Sequence, residues 1–273
     1  MPESSSWDVI LGADSTRTVL GIDFRVSWRR EADFAEFAAM MGSEYRFLRA
    51  RPRSVRSGEA LSSEACTGSW IESLRRDRQP VLAVLGHGVG SVYAAEIAEA
   101  VGRWQQSPAI ILFDPELTSA GLLSRAFSAE VNADQAILSA DEIERARQAA
   151  AEIAGRPGRI AGVAAEVVAA YLETLAIPWE RIGLGDVRES EFTRSFESHI
   201  AWLVAASQLD PSNAWERSIA IISTDHARML EPGSSADNAS DLVSRRILVD
   251  VDHDGLLRSD SVASVVLGLL GSR

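Results

Sequence analysis

The sequence predicts an α/β protein, in which a mostly parallel β-sheet is flanked by helices and interrupted by a helical insertion. Three observations predict this class. Short β-branched apolar runs alternate with longer amphipathic segments, about 100 residues between Pro115 and Arg217 show helical patterns only, and a glycine-flanked turn near Gly88 joins a buried-type strand to a helix. Alternation of strands and helices implies parallel strands with both faces of the sheet covered.

Seven runs have strand character, because they are rich in β-branched and apolar residues and are bounded by turn residues. In chain order they span residues 7–13, 18–24, 45–50, 80–86, 109–114, 218–224 and 246–252, and the first of them is predicted to be an edge strand. Between these runs, apolar residues recur at three- and four-residue spacing, which predicts helices over residues 31–41, 62–76 and 90–104.

The insertion contains three further helical patterns, at residues 139–155, 161–176 and 190–209. The first begins with "SADE" at 139–142, a helix start with early acidic residues, and ends at "GRPG". A helical insertion between two sheet strands is expected to cover the carboxyl edge of the sheet, where α/β proteins bind ligands. We therefore expect residues 1–115 and 218–273 to form the core, and residues 116–217 to form a lid.

Composition narrows the classes of partner and the expected setting. A chain of 273 residues is long enough to bury a full core, and its net charge of −12 disfavours nucleic acid and anionic membranes as partners. No apolar run in the sequence approaches the roughly 20 residues of a membrane helix, and no secretory signal is visible. The single cysteine, Cys66, excludes an internal disulfide and a cysteine-based metal cluster, so a reducing cytoplasm is the expected setting.

The basic residues are unusual in kind and in distribution. All 27 of them are arginine, which excludes Schiff-base and general-base chemistry by lysine. Five fall within eleven positions, and this cluster is either a solvated surface or a docking patch for a phosphate or an acidic partner protein. The five are Arg46, Arg49, Arg51, Arg53 and Arg56.

The stretch "VLAVLGHGVGSVYAAEIA", residues 81–98, is the part of the sequence that most directly indicates a reaction centre. A buried-type strand, a tight turn and a helix form the arrangement that presents a nucleophile at the edge of a parallel sheet. The residue at the apex, Gly88, has no side chain. A positive φ at such an apex costs a side-chain-bearing residue about 1–3 kcal/mol, whereas glycine adopts it freely. Glycine at position 88 is therefore compatible with the turn, but unlike serine it has no side-chain oxygen that could form an acyl-enzyme.

The segment "GHGVGS" resembles the Gly-x-Ser-x-Gly nucleophile elbow of the α/β-hydrolases. The wider pattern is similar to the thioesterases of non-ribosomal peptide and polyketide biosynthesis. Four features carry that resemblance: the alanine-rich helix "VYAAEIAEAV", the apolar strand "AIILFD" that ends in aspartate, the helical insertion, and a late histidine before "LL" and a last helix in "HDGLLRSDSVASVVLGLLG".

The resemblance implies a set of site residues. Gly88 stands at the nucleophile position, Asp114 at the acid and His253 at the base, and Asp225 occupies the other place where hydrolases of this fold put their acid. In the family, a glycine-bearing loop after the first central strand helps to bind the oxyanion, but bulky and charged residues stand in "GIDFRVSWRREADF". The predicted substrate-binding residues are His87 and Val89 of the turn and Asp23, Phe24 and Arg25 of the altered loop. Asp23 and Arg25 either pair with each other, or the arginine holds a carboxylate or a phosphopantetheine phosphate.

Three functions remain open from the sequence. The first is noncovalent acid–base chemistry by His253, oriented by Asp114 or Asp225, which would cyclise, isomerise or eliminate from an acyl or peptidyl thioester held on a phosphopantetheine carrier protein. The second is a binding or scaffold protein without catalysis. The third is an active thioesterase that carries a serine-to-glycine substitution at position 88. The resemblance implies no cofactor, and no metal is expected, since Asp225 and His226 are adjacent and lack a suitably spaced third ligand.

Overall fold

Seven strands form one sheet in the computed structural model, which describes residues 6–24, 33–53, 55, 59–229 and 239–271. The strand order is β1-β3-β2-β4-β5-β6-β7; β1 runs antiparallel to β3, and the other pairs are parallel. The predicted α/β class and the predicted edge position of the first strand are therefore confirmed. The strands are β1 (Trp7–Leu11), β2 (Thr18–Ile22), β3 (Arg46–Ala50), β4 (Val81–His87), β5 (Ala109–Phe113), β6 (Ile219–Ile222) and β7 (Arg245–Leu248).

Helices connect the strands and fill the insertion. The predicted start at residue 139 is confirmed: Ser139 Oγ accepts the N–H of Glu142 at 3.3 Å, and the Glu142 carboxylate accepts the N–H of Ser139 at 2.7 Å. The helices are α1 (Phe34–Met41), α2 (Ser63–Asp77), α3 (Gly90–Gly102), α4 (Ala120–Ala133), α5 (Ala140–Ala154), α6 (Ile160–Arg181), α7 (Asp186–Ala206), α8 (Ser212–Trp215), α9 (Thr224–Met229) and α10 (Asp260–Gly271).

One predicted strand is shorter than the sequence indicates. The pattern predicted strand over residues 246–252, but β7 ends at Leu248. The reason is that the carbonyl of Val251 accepts hydrogen bonds from the backbone N–H of Thr224 at 2.9 Å and from its hydroxyl at 3.2 Å, so the chain leaves the sheet and joins the start of α9. This departure places the loop that carries His253 at the carboxyl edge of the sheet.

The sheet separates two hydrophobic cores. Its central strands β2 and β5 are buried along their whole length, as expected for parallel strands that are covered on both faces. Alternate residues of β5 point to opposite cores: Ile110 and Leu112 face the core with α2, α3 and the insertion, whereas Ile111 and Phe113 face the core with α1 and α10. This packing fixes β4 and β5, which end at the candidate site.

Helices α4–α8 lie between β5 and β6 in the sequence, and α7 is tied directly to the core. The hydroxyl of Tyr93 in α3 donates to the carbonyl of Trp202 at 2.7 Å, and within the insertion Thr118 Oγ1 donates to the carbonyl of Leu203 at 2.8 Å. The Trp202 ring also stacks on Phe24, with centroids 5.1 Å apart. Helix α7 is thus a fixed wall of the molecule, and the division into a core and a lid at residues 115 and 217 stays a prediction.

Helix α6 is long and apolar enough to cross a membrane, judged by length and composition only, with a mean hydropathy of 1.7 over 18 residues. The sequence shows no uninterrupted apolar run of this length, because Glu166 and Glu173 stand among the apolar residues. In the fold, α6 packs in the helical layer with α4, α5 and α7. Its buried residues recur every four positions, as expected for a helix that packs on one face, and they include Val163, Val167, Tyr171 and Leu175.

The arginine cluster is engaged in internal ion pairs. Arg46 contacts Asp77 at 2.8 Å, Arg49 contacts Asp33 at 2.8 Å, Arg51 pairs with Asp8, and Arg53 contacts Glu59 at 2.7 Å. The fifth member, Arg56, lies outside the described residues. Since acidic residues of the chain itself neutralise these guanidinium groups, the structure favours the solvated-surface interpretation of the cluster over a docking patch.

Candidate active site

The turn between β4 and α3 has the geometry that its glycines predict. Strand β4 ends at His87, Gly88 has φ +52°, and α3 begins at Gly90. The N–H of Gly88 donates to the carbonyl of Phe113 at 2.9 Å, and its carbonyl accepts the N–H of Ser91 at 3.1 Å. These bonds hold the apex between β5 and α3. The side chain of Ser91 points elsewhere, because its hydroxyl donates to the carbonyl of Gly86 at 3.2 Å.

The three glycines of the turn are required for different reasons. A Cβ at Gly86 would lie 2.5 Å from Cα of Ser91, and a Cβ at Gly90 would lie 2.2 Å from the carbonyl oxygen of Ile22. A Cβ at Gly88 would meet nothing within 4 Å. Close backbone packing therefore demands glycine at positions 86 and 90, whereas at position 88 only the positive φ favours it. A side chain at the apex has room.

Alanine substitutions separate these two reasons. We expect Gly90→Ala to lower the free energy of unfolding by roughly 3 kcal/mol, because its methyl group collides with a backbone oxygen. Gly88→Ala should cost only about 1 kcal/mol, the penalty of a left-handed backbone. Urea unfolding of the two variants and the wild type measures the difference. Equal losses in both variants would show that the close approach of α3 to β2 is wrong.

Asp114 and His253 meet at the same edge of the sheet. Asp114 follows β5 and is fully buried; one of its oxygens, Oδ2, lies 2.7 Å from Nδ1 of His253 and accepts the hydroxyl of Ser223 at 2.6 Å. Its other oxygen accepts the backbone N–H of Ser223 at 2.8 Å. Asp225 instead accepts the backbone N–H of His253 at 3.2 Å. The structure thus pairs Asp114 with the imidazole and Asp225 with the backbone of the same histidine.

Asp114 is held as a carboxylate. Burial by itself raises the pKa of Asp114, but the hydrogen bonds from His253 and Ser223 and the charge of His226 outweigh burial, so the pKa lies below its usual value. With Nδ1–H of His253 donated to this carboxylate, Nε2 is the basic nitrogen of the ring. Asp114 also has φ +42°, a strained conformation for a residue with a side chain. Such strain is typical of functional sites.

A cavity of about 450 Å³ lies over this edge of the sheet. Its floor includes Gly88, Val89 and His253, and the insertion contributes Leu122 from α4 and Leu203 from α7. The chain has only four histidines, and all four line this cavity. Within the described ranges, no group of three or more histidine, cysteine, aspartate or glutamate residues is arranged to hold a metal ion.

The structure brings three of the five predicted substrate-binding residues to the cavity, namely His87, Val89 and Phe24. Asp23 is not among the lining residues: it is 6% exposed, and its carboxylate accepts the N–H of Phe34 at 2.9 Å. Its prediction as a substrate-binding residue is therefore not supported, because the carboxylate is turned toward the start of α1. Arg25 lies outside the described residues.

Two residues next to the apex supply further chemistry. The N–H of Val89 stands at the start of α3, where helix donors have no intrahelical acceptor, so it can bind an oxyanion. The ring of His87 stacks on that of His253, with centroids 4.9 Å apart and planes at 24°. Burial and the charge of His253 lower the pKa of His87 to about 3, so this ring is neutral at physiological pH.

Five polar residues of the site were not predicted from the sequence: Ser223, Glu116, Arg125, His199 and His226. Ser223 follows β6, and the rule that parallel strands end at one edge could have found it beside Asp114. Glu116 and Arg125 both line the cavity and form an ion pair of 2.6 Å between the loop after β5 and helix α4. No local sequence signal indicates that these two residues meet.

The sheet, the positive-φ turn and the Asp–His pair define a protein with the α/β-hydrolase fold. Similar solved structures include the NocB thioesterase domain in covalent complex with a fluorophosphonate nocardicin G analogue, at 14% identity and a TM-score of 0.53, covering 97% of this chain and 99% of that chain. The Vlm2 thioesterase domain bound with a dodecadepsipeptide has 14% identity and a TM-score of 0.51, and the match covers 98% of each chain.

A structure from a study of carboxylesterases of the thaumarchaeon Nitrososphaera gargenis is equally similar, at 15% identity and a TM-score of 0.52, covering 97% of this chain and 93% of that chain. No protein-family model matches the sequence, and no curated protein is significantly similar to it. At these identities the likeness shows the fold alone, so the site itself has to carry the functional argument.

Proposed function

We propose that this protein binds an acyl or peptidyl thioester in the 450 Å³ cavity and acts on it without an acyl-serine intermediate. His253 is the general base, and Asp114 orients it. The observation that carries the proposal is the 2.7 Å contact between these two side chains, at a cavity whose apex residue is Gly88. An oriented Asp–His pair without a neighbouring nucleophile can still transfer protons, and such transfer contributes about 10²–10⁴-fold to a rate.

The substrate class is supported by the resemblance of the sequence and by the fold. Two of the similar structures are thioesterase domains, and one of them is bound with a depsipeptide. The cavity has an apolar side formed by residues such as Phe24, Leu122 and Leu203, which suits the acyl part of a thioester. A phosphopantetheine arm on a carrier protein of secondary metabolism is the delivery route that this class implies.

Cyclisation illustrates the proton balance. A hydroxyl or amine of the substrate transfers its proton to Nε2 of His253 while its oxygen or nitrogen attacks the thioester carbonyl. The carbonyl oxygen becomes negative and accepts a hydrogen bond from the N–H of Val89. When the C–S bond breaks, the departing thiolate takes the proton from His253. The same base can also remove a proton from the carbon beside the carbonyl, which is the first step of an isomerisation or elimination.

A binding protein without catalysis is the second candidate, and the geometry of the pair argues against it. In a protein that only retains a ligand, nothing requires Asp114 to be buried, strained at φ +42° and bonded to an imidazole. Such strain persists where the surrounding structure enforces it, and it is concentrated at functional sites. The contact at 2.7 Å therefore favours an enzyme.

The N-acetylcysteamine thioester of 5-hydroxypentanoic acid tests the proposal, because it can close to a six-membered lactone. We expect the wild type to release thiol and lactone with no mass adduct on the protein. His253→Asn should lower kcat by about 10²–10⁴-fold, because it removes the base. Asp254→Asn is the matched control, since it changes an exposed residue of the same loop. Unchanged turnover in His253→Asn would refute the general base, and an acyl adduct on the wild type would refute the noncovalent route.

A further inference from the structure

His226 lines the cavity but has no role in the proton transfer described above. Its side chain is buried, with 7% of the residue exposed, and its Nε2 has no hydrogen-bond partner among the described residues. Nearly all buried polar atoms in proteins are hydrogen-bonded, so an unsatisfied one at a cavity calls for an explanation. Because His226 lines the cavity, a bound ligand can supply the missing hydrogen-bond partner.

The backbone of His226 is built into the hydrogen bonds of the Asp–His pair. Its N–H donates to the hydroxyl of Ser223 at 3.2 Å, and that hydroxyl donates to Asp114. The preceding residue, Asp225, accepts the backbone N–H of His253. The imidazole of His226 is therefore held beside the reacting centre. Rotation about χ2, which is soft for histidine, can turn its nitrogen toward a ligand in the cavity.

A second imidazole in the cavity has the same property. Nε2 of His87 is buried and has no hydrogen-bond partner among the described residues. The surrounding charges decide which ligand group fits: the carboxylates of Glu116 and Asp225 line the cavity, and they are already paired with Arg125 and Arg228. Because both arginines are already engaged by carboxylates, neither is left to bind an anionic ligand group, whereas a neutral hydrogen-bonding group would satisfy the imidazoles.

We propose that His226, together with His87, binds a neutral hydroxyl or amide group on the acyl part of the substrate. The cavity then selects polar acyl and peptidyl groups against aliphatic chains of the same size. This inference rests on the proposed function for the location and the thioester class of the ligand. A site built to hydrogen-bond a substrate group rejects the analogue that lacks it, because its own buried polar atoms are then left unpaired.

Binding of matched ligand pairs tests the selectivity. Each pair compares a polar acyl group with an apolar one of the same shape: 3-hydroxybutyryl with 3-methylbutyryl, and N-acetylglycyl with 4-methylpentanoyl. All are used as amide analogues of the N-acetylcysteamine thioesters, which prevents turnover, and Kd is measured by calorimetry. We expect the wild type to bind the polar member about 10- to 100-fold more tightly in at least one pair. His226→Phe should abolish this preference, and His226→Asn should retain part of it.

Thermal unfolding of the ligand-free variants separates recognition from a structural role. The imidazole of His226 has an unsatisfied nitrogen but also supports the Asp114 carboxylate, so the two effects oppose each other and His226→Phe should leave Tm nearly unchanged. A lowered Tm in both variants would show that the histidine supports the fold instead. The inference is overturned if the wild type does not distinguish the members of either pair, if it binds none of the four ligands, or if His226→Phe keeps the preference.

The binding measurements do not depend on turnover, so the inference about His226 and the proposed function can fail separately. A polar preference that His226→Phe removes, found together with unchanged turnover in His253→Asn, would support the binding role of His226 and refute the general base. Loss of turnover in His253→Asn, found without any polar preference, would support the general base and refute the binding role of His226.

Discussion

Serine in place of Gly88 is expected to turn this site into one that forms covalent adducts. The wild type should remain unlabelled by a fluorophosphonate probe, whereas Gly88→Ser should be labelled to one adduct per chain. The reason is geometric: a Cβ at position 88 has open space around it, and the Asp114–His253 pair faces the same cavity. Removing the nucleophile from a complete triad costs about 10⁶-fold in rate, so its return should raise labelling by at least roughly 10³-fold.

Gly88→Ala is the matched control for this experiment. It imposes the same penalty on the left-handed backbone, φ +52°, but it brings no hydroxyl. Intact mass spectrometry should detect an adduct in the serine variant only. A serine variant that is as stable as the alanine variant and still unlabelled would show that His253 cannot activate a nucleophile at the apex. Hydrolysis of acyl thioesters by the serine variant would favour the interpretation of the chain as a thioesterase that carries a serine-to-glycine substitution.

Asp114→Asn is expected to reduce both activity and stability. The carboxylate accepts the N–H and the hydroxyl of Ser223 and lies 2.7 Å from Nδ1 of His253. An amide presents one NH₂ group to these donors, so at least one buried hydrogen bond is lost, at about 1–3 kcal/mol. The imidazole also loses its orientation and tautomer, which should lower kcat by at most the roughly 10²–10⁴-fold that the base contributes. Urea unfolding and lactone release measure the two losses.

The pH dependence of stability gives Asp114→Asn a second signature. Because the folded state holds the pKa of Asp114 below its usual value, the carboxylate contributes stability above the unfolded pKa of about 3.9. This contribution is lost as the pH falls through the folded pKa. Asp114→Asn should therefore flatten the loss of stability below about pH 4. Asp225→Asn is the comparison, because an asparagine oxygen can still accept the N–H of His253; a larger loss of activity in that variant would mean that the acid has been assigned wrongly.

Much of the fold could be predicted because its signals are local. Six of the seven predicted strands end within two residues of their observed ends, and the helix that begins after Ser139 has its capping box in the sequence. β7 was predicted too long because residues 249–252 keep strand composition, although Val251 bonds to the start of α9. Sequence periodicity reports which face of an element is apolar, but it does not report where a strand leaves the sheet.

The topology of the sheet allows only part of the site to be predicted. Parallel strands bring their carboxyl ends to one edge, so Gly88 and Asp114 were expected near each other. Asp23 also follows a strand of this sheet, but its carboxylate turns toward Phe34 and away from the cavity. Glu116 and Arg125 were missed for the related reason that their ion pair depends on how helix α4 folds back over the loop after β5.

The sequence by itself determined the order of the strands along the chain, the glycine at the apex and the absence of lysine chemistry. It did not indicate helix α4, which contributes to the cavity. Only the tertiary structure decided that Asp114 holds the imidazole of His253, that Gly86 and Gly90 are required by packing while Gly88 is not, and that all four histidines share one cavity. The physical reason is distance along the chain: Asp114 and His253 are 139 positions apart, and only the packing of the sheet brings them to 2.7 Å.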